Sequence, residues 1–331
     1  MTLPVSGAIS LNDVNVELYR SSTTIVYLNE TVVRTLLEKT TPASVISMSD
    51  GYGKFSRVPL ALTISANIAD YNAFVAAGSP GGSTPYDVTL TINTGVICYA
   101  TTTGTAALRV GGSWPAGSTF VIVNNGYIIG AGGAGGAGGA YSNGAAGGAG
   151  GNAIDFAGSG LTSVTVNNTA GYIYGGGGGG GGGGSNGWWT GYSEWLGGGG
   201  GGGGAGNVAG GGGANPGYYI VASAFTPTSG TSGTAGSSVG GTGGLGWDGN
   251  RDVGGESPSD HRAYGGDGGN GGGYGEAGAA GTNATSFDWL WALGSYVGNT
   301  AGAAGKAINL GGVSISWSGG NNITQVKGVV T

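Results

Sequence analysis

The sequence predicts a mainly β, partly irregular fold in three parts. Residues 1–58 read as a small docking module and 59–130 as a small mainly β domain with one helix. Residues 131–331 read as a bundle of packed polyglycine (polyproline II) helices with aromatic loops. Three observations carry this. Seventy of the 83 glycines fall in the last 201 residues. They form blocks, with ten unbroken from Gly175 to Gly184 and eight from Gly197 to Gly204. Charged residues are 8%, too few for a solvated disordered chain.

Residues 1–58 hold a degenerate repeat: Ala8-Ile9-Ser10-Leu11-Asn12-Asp13, Ile25-Val26-Tyr27-Leu28-Asn29-Glu30 and Val45-Ile46-Ser47-Met48-Ser49-Asp50. Each copy is an apolar run followed by Asn or Ser and an acid, a helix-start signal. After the second copy, Val32, Val33, Leu36 and Leu37 form an apolar stripe that ends before Pro42. So short a segment has little core of its own, so it is expected to dock on another chain.

In residues 59–130 a helix is predicted over Ile68–Ala77, ended by Gly78 and Pro80. Strands are predicted over Val88–Ile92, Val96–Tyr99 and Thr119–Val123. An apolar strand, then Asn, then Gly and a second apolar strand recurs at Thr91–Ile97 and Val121–Ile128, and more loosely over 164–174. Asn and Gly between strands predict hairpin turns. The last two copies run straight into glycine blocks, so each block starts from a sheet. Cys98, in an apolar run, reads as a buried inert thiol.

Glycine blocks have no side chains to bury, and ordering them costs roughly 1–2 kcal/mol per residue. Their phase is informative. A polyproline II helix has three residues per turn, so every third residue shares an edge. Ala131, Ala134, Ala137 and Ala140 keep that period, as do Asp267, Asn270, Gly273 and Glu276. Blocks of pure glycine suit helices packed on every side, and those with Ala or a polar residue at every third position suit helices with one exposed edge. Val313–Val330 reads as strands returning to the middle sheet. A flexible linker is the competing reading, but it has no reason to hold a register. Proline is too sparse and the triplets too interrupted for collagen.

Four aromatic-rich segments separate the blocks: 185–196, 214–228, 247–264 and 282–300. They supply the candidate binding residues Trp188, Trp189, Tyr192, Trp195, Tyr218, Tyr219, Phe225, Trp247, Arg251, His261, Arg262, Tyr264, Phe287, Trp289, Trp291 and Tyr296. Six of the eight tryptophans lie here, more than a shallow bundle can hide, which points to a recognition surface. Some of these rings are expected to cover the glycine faces instead.

Other functions lack support. No basic patch offers a nucleic-acid site: residues 131–331 carry nine acids and four bases. One cysteine gives no disulfide framework or metal set, and no cofactor is expected. Gly302–Ala307 is too short for a phosphate loop and lacks the hydroxyl after Lys306. Gly265–Asn270 matches a calcium-binding nonapeptide once and incompletely. His261 has acids nearby but no nucleophile, and Glu256 and Asp260 are a weak glycosidase pair. The chain is therefore not expected to be an enzyme. Neither a signal peptide nor a membrane span is expected.

Two stretches carry a family resemblance. Ser6–Asn15 through Ile46–Lys54 is similar to the opening of many phage tail and tail-fibre proteins. The alternation of glycine blocks with aromatic segments resembles the distal adhesins of T-even-like phages. Their tips stack glycine-rich polyproline II helices and present variable loops to host receptors. The resemblance implies a virion protein made in the host cytoplasm. It would recognise a bacterial surface protein or polysaccharide and join other tail proteins through residues 1–58. The alternative is a structural tail component without receptor contact. Residues 1–130 do not match the domain with which those adhesins cap a trimeric fibre, which leaves open the attachment partner and whether the chain forms a homo-oligomer.

Overall fold

The computed structural model describes residues 3–4, 6–18, 20–21, 23–39, 41, 44–54, 57–82, 84–140, 142–189, 193–214, 239–246, 248–250, 262–286 and 292–331. At 187–189, 193–196, 248–250, 262–263, 286 and 292–294 it gives the backbone alone. The chain is mainly β, with parallel sheets and a few short helices.

The N-terminal repeat is a structural one. Helix α1 (Leu11–Glu17) and the 3-10 turn Met48–Gly51 both begin with reciprocal capping boxes, and helix α2 (Thr31–Leu36) follows the second copy. The caps are Ser10 and Ser47, two residues before the expected Asn12 and Ser49. In every copy the acid accepts the backbone N–H three residues back: Asp13 from Ser10 (2.6 Å), Glu30 from Tyr27 (2.9 Å) and Asp50 from Ser47 (2.8 Å). Placing the carboxylate there answers an orphan donor of the first turn. Ile9, Val26 and Ile46 lean on a small core of Leu3, Val14, Val33, Leu36 and Leu37. The residue before each, Ala8, Ile25 and Val45, is exposed.

From residue 58 the chain winds as a parallel coil of five turns with three sides. The first turn is β1 (Val58–Ile64), β2 (Ile68–Ala69) and β3 (Tyr71–Asn72), after which α3 (Ala73–Ala76) leads to the second. The second is β4 (Tyr86–Ile92), β5 (Ile97–Tyr99) and β6 (Leu108–Arg109). The third is β7 (Thr119–Asn124), β8 (Tyr127–Ile129) and β9 (Ile154–Asp155), and the fourth opens with β10 (Ser163–Asn167) and β11 (Tyr172–Tyr174). Strands β12 to β17 lie in a long excursion described below. The chain then re-enters the fourth turn at β18 (Ile308–Asn309) and makes the last with β19 (Ser314–Gly319) and β20 (Val326–Lys327). The first side is β1-β4-β7-β10-β19, the second β2-β5-β8-β11-β20 and the third β3-β6-β9-β18, all parallel. The returning strands expected over Val313–Val330 are therefore present.

Alternation within each strand fills the interior. Leu90, Ile122, Val166 and Trp317 stand in register on the first side. Cys98, Ile128, Ile173 and Val326 do so on the second, and Leu108, Ile154 and Ile308 on the third. All but the last-turn Trp317 and Val326 are fully buried. Burial pushes the Cys98 thiol up to about 12, as suits an inert side chain.

Two local expectations are corrected. The Asn-Gly phrases do not close hairpins: each hands the chain from the first side to the second. A two-residue type I′ turn needs positive φ at both central residues, and between β7 and β8 neither Asn125 nor Gly126 has it. Instead asparagines at the corners between the first and second sides, Asn67 included, tie successive turns together. Asn124 Nδ2 donates to Asn168 Oδ1 (2.7 Å), Asn168 Nδ2 to the Gly320 carbonyl (2.9 Å), and the Ile97 N–H to Asn67 Oδ1 (2.9 Å). The helix over 68–77 shrinks to Ala73–Ala76. Asp70 interrupts it in the left-handed region (φ 49°), its carboxylate accepting the Thr101 N–H (3.0 Å) and the Thr105 hydroxyl (3.1 Å).

The excursions leave the coil between its second and third sides, at 130–151 in the third turn and 175–307 in the fourth. Their glycine segments bond to one another with a period of three. Gly133, Gly136 and Gly139 donate to the carbonyls of Gly177, Gly180 and Gly183. Gly132, Gly135 and Gly138 donate to Val208, Gly211 and Ala214, and Ala131, Ala134 and Ala137 accept from Gly151, Gly148 and Ala145. Segment 175–184 is surrounded. Every N–H from Gly176 to Gly184 donates and every carbonyl from Gly175 to Gly184 accepts. The partners of these groups lie in six segments, 133–139, 145–151, 199–205, 266–275, 276–282 and 299–305, and the Gly175 N–H donates to Lys327 in β20. All ten residues are buried, whereas Ala134, Ala137, Ala140, Asp267, Asn270 and Glu276 are exposed. Ala131, the first of the alanine series, is instead buried at 2%, because it lies where the segment leaves β8 and packs on the coil core.

Candidate functional site

Bond direction decides where the loops lie. Pairings rise together between 133–139 and 177–183, and between 178–184 and 276–282, so these segments run the same way, outward from β8 and β11. Segments 199–205, 266–272 and 299–305 pair with 175–184 in descending order and return. The turns at the coil end are short, at 206–209 and 273–275. Tyr274 there is buried and stacks on Tyr174 at 5.0 Å, and burial pushes its hydroxyl up to about 12. The described roots of the aromatic segments are at the far end, together with the turn after Ala140, which sequence reasoning had not singled out.

At that end the backbone forms two three-stranded antiparallel sheets. One is β13-β12-β17, from β12 (Asn186–Trp189), β13 (Ser193–Leu196) and β17 (Ala292–Ser295); the other is β14-β15-β16, from β14 (Asp248–Asn250), β15 (Arg262–Tyr264) and β16 (Thr285–Ser286). β16 and β17 are the two arms of the fourth segment, which thus joins the first segment to the third. Trp188 pairs with Glu194 and Ala292, Gly187 with Trp195, Trp189 with Ser193, and Tyr264 with Asp248 and Thr285. Tyr296 is half-buried, and its N–H donates to the Ser185 carbonyl (2.9 Å).

Of the predicted site residues, Trp188, Trp189, Trp195, Arg262, Tyr264 and Tyr296 lie on described backbone. Tyr192, Tyr218, Tyr219, Phe225, Trp247, Arg251, His261, Phe287, Trp289 and Trp291 lie outside the described residues. Away from this end, Val239, Thr242, Asn270 and Glu276 line a groove of about 250 Å³ on the flank. Among the described residues no cluster of His, Cys, Asp and Glu could hold a metal ion, and no helix is long and apolar enough to cross a membrane.

Comparison with known proteins comes to one family. The model of the phage tail fibre adhesin Gp38 family matches residues 59–330, so 59–130, left unmatched in the sequence reading, falls within the family. Among solved structures, the chain is similar to the gp37-gp38 adhesin tip complex of the bacteriophage S16 long tail fibre. Identity is 23% over 91% of this chain and 92% of that one, with a TM-score of 0.45. No curated protein sequence matches.

Proposed function

We propose a division of labour for this chain, which belongs to the phage tail fibre adhesin Gp38 family and so is a receptor-binding protein of a phage tail. The coil is the mount, the glycine region the rigid stalk and the far-end loops the contact surface for a bacterial protein or glycan. The observation that carries this is the gathering of the described aromatic-segment roots at one end of the stalk, away from the coil. Tryptophan and tyrosine there would supply rigid contact area at low entropic cost.

The stalk is read as a lattice of polyglycine helices in the polyproline II conformation. The three-residue bonding period and the six partner segments around 175–184 support this. Such a lattice satisfies backbone groups without side chains, which lets glycine replace a hydrophobic core. The role is binding rather than catalysis.

Residues 1–58 would join the chain to the fibre. The supporting unit read from the sequence as 59–130 would extend to the coil strands over 154–174 and 308–327, and recognition would belong to the excursions at 130–151 and 175–307. Ile25, Tyr27 and Val45 are 71%, 64% and 86% exposed, an apolar surface that calls for a partner. Three copies of one device suit a partner that offers the same surface three times, such as a fibre end of three chains.

The test is adsorption of the labelled chain to a panel of bacterial strains, beside a folded variant with Trp188, Trp189 and Trp195 changed to Ala. Strain-selective binding that the variant loses is the expected result. Equal binding by both would remove the first segment from the surface. Binding only to fibre particles would favour a structural role.

A further inference from the structure

Three glycine segments reach or leave the far end at the same dipeptide, a hydroxyl residue followed by asparagine: Ser142-Asn143, Ser185-Asn186 and Thr282-Asn283. None of the six contributes aromatic contact area. All six are bonded across to another segment at the level where glycine gives way to loop.

Ser142 and Ser185 are joined three times. The Ser142 N–H donates to Ser185 Oγ (2.9 Å), and the Ser185 hydroxyl and N–H donate to the Ser142 carbonyl (3.0 and 3.3 Å). Asn186 Nδ2 donates to the Thr285 carbonyl (2.9 Å). Asn143 Oδ1 accepts the Val297 N–H (3.1 Å), and Asn283 Oδ1 accepts the Gly298 N–H (3.0 Å). Thr282 Oγ1 accepts the Asp267 N–H (2.6 Å). Side chains here add to the backbone bonds that continue up from the glycine segments. Ser185 and Asn186 are fully buried, so their polar atoms gain most from being matched.

We propose that these six residues form a collar that fixes the spacing of the loop roots and thereby positions the loops for the receptor. They are positioning residues, not contact residues. The collar ties the roots of the 140–144 turn, the 186–196 hairpin and both arms of the 285–295 segment. A loop surface built from separate hairpins binds as one only if their roots keep one arrangement, and loss of that arrangement lowers affinity without removing a contact. The proposal rests on the receptor-binding reading above.

Asn143 and Asn283 are exposed, and each lends an oxygen to a root amide, so both can be changed without disturbing the core. The variant N143G/N283G removes both acceptors, and N143D/N283D keeps them. Two quantities are read on the full chain: amide exchange, and adsorption to bacterial strains that take up the parent. In the glycine variant, Val297 and Gly298 should exchange about tenfold faster, as expected for losing roughly one hydrogen bond each. Gly176–Gly184 should keep parental rates. Adsorption should fall several-fold and return in the aspartate variant.

Unchanged exchange at Val297 and Gly298 would show that there is no clamp. Faster exchange with parental adsorption would show that the clamp does not serve recognition. A parent chain that adsorbs to no strain would overturn the receptor reading and the collar's part in it, while root exchange would still decide whether the clamp exists.

Discussion

Replacing Gly180 by alanine tests the glycine lattice at its centre. A Cβ built there lies 2.5 Å from the Gly269 carbonyl carbon, closer still to its oxygen, and 2.9 Å from the Asn270 carbonyl carbon. Carbon atoms rest about 3.5–4.0 Å apart, so segment 265–273 must move off by roughly 1 Å. That move strains the bonds from Gly269 N–H to Gly181 (2.8 Å) and from Gly202 N–H to Gly269 (2.9 Å). Overpacking costs about 1–3 kcal/mol and each lost bond about 1, against a gain of about 0.4–1 from a stiffer unfolded chain. The net loss is about 2–4 kcal/mol. Gly211 is the matched control. It is exposed, has no positive φ, and a Cβ there meets nothing within 4 Å. Gly211→Ala should be neutral or stabilising by up to about 1 kcal/mol. The assay is amide exchange across Gly176–Gly184, where a loss of about 2.8 kcal/mol reads as roughly a hundredfold. If the two variants exchange alike, direct backbone contact is not what excludes side chains from this block.

Two further outcomes are expected. The Tyr274 hydroxyl is buried with no hydrogen-bond partner among the described residues, while its ring stacks on Tyr174; Tyr274→Phe should therefore hold or raise the melting temperature, and a clear drop would reveal a missed partner. Asp13 and Asp50 have their pKa lowered chiefly by the backbone N–H groups of Ser10 and Ser47, and Glu30 by Arg20 and then the Tyr27 N–H. A lowered folded pKa gives stability that is full above the unfolded values, 3.8 for Asp and 4.5 for Glu, and is lost as pH falls through the folded ones. Exchange protection of residues 1–54 should thus fall below about pH 4, and D13N/D50N should be weaker at neutral pH with a flatter acid profile; parallel profiles would rule the linkage out.

Period told more than propensity did. The three-residue phase of alanine and polar residues marked the exposed edges of the glycine segments away from the coil, where an edge facing solvent has room for a Cβ; Ala131, at the coil, is buried. Strand β4 was legible because apolar residues alternate along it, and β5 and β7 because each is a short apolar run beside Asn and Gly. Their partners were not. An Asn-Gly corner looks the same whether the next strand folds back beside the last or passes to another side of a coil. The difference lies in the φ of Asn125 and Gly126 and in the bond from Asn124 to Asn168, 44 residues away. The helix over 68–77 failed for a similar reason, because the partners that hold Asp70 are Thr101 and Thr105. Aromatic content identified the far-end loops, but it overlooked Ser142, Asn143, Ser185 and Asn186, whose only signal is a repeated dipeptide at the glycine boundaries.

The placement of the longer excursion also constrains the order of folding. β11 ends at Tyr174 and the next strand of the same turn, β18, begins at Ile308. The turn can close only when the intervening chain has travelled out and come back, a closure over long sequence separation that is slow in proportion to its contact order. Until then the last turn has no anchor on the third side, and Ile308 stays in water. A chain whose tip has assembled wrongly therefore carries an unpaired apolar strand at the other end of the molecule, where it would be open to aggregation or proteolysis. Completion of the coil thus depends on the return of the longer excursion.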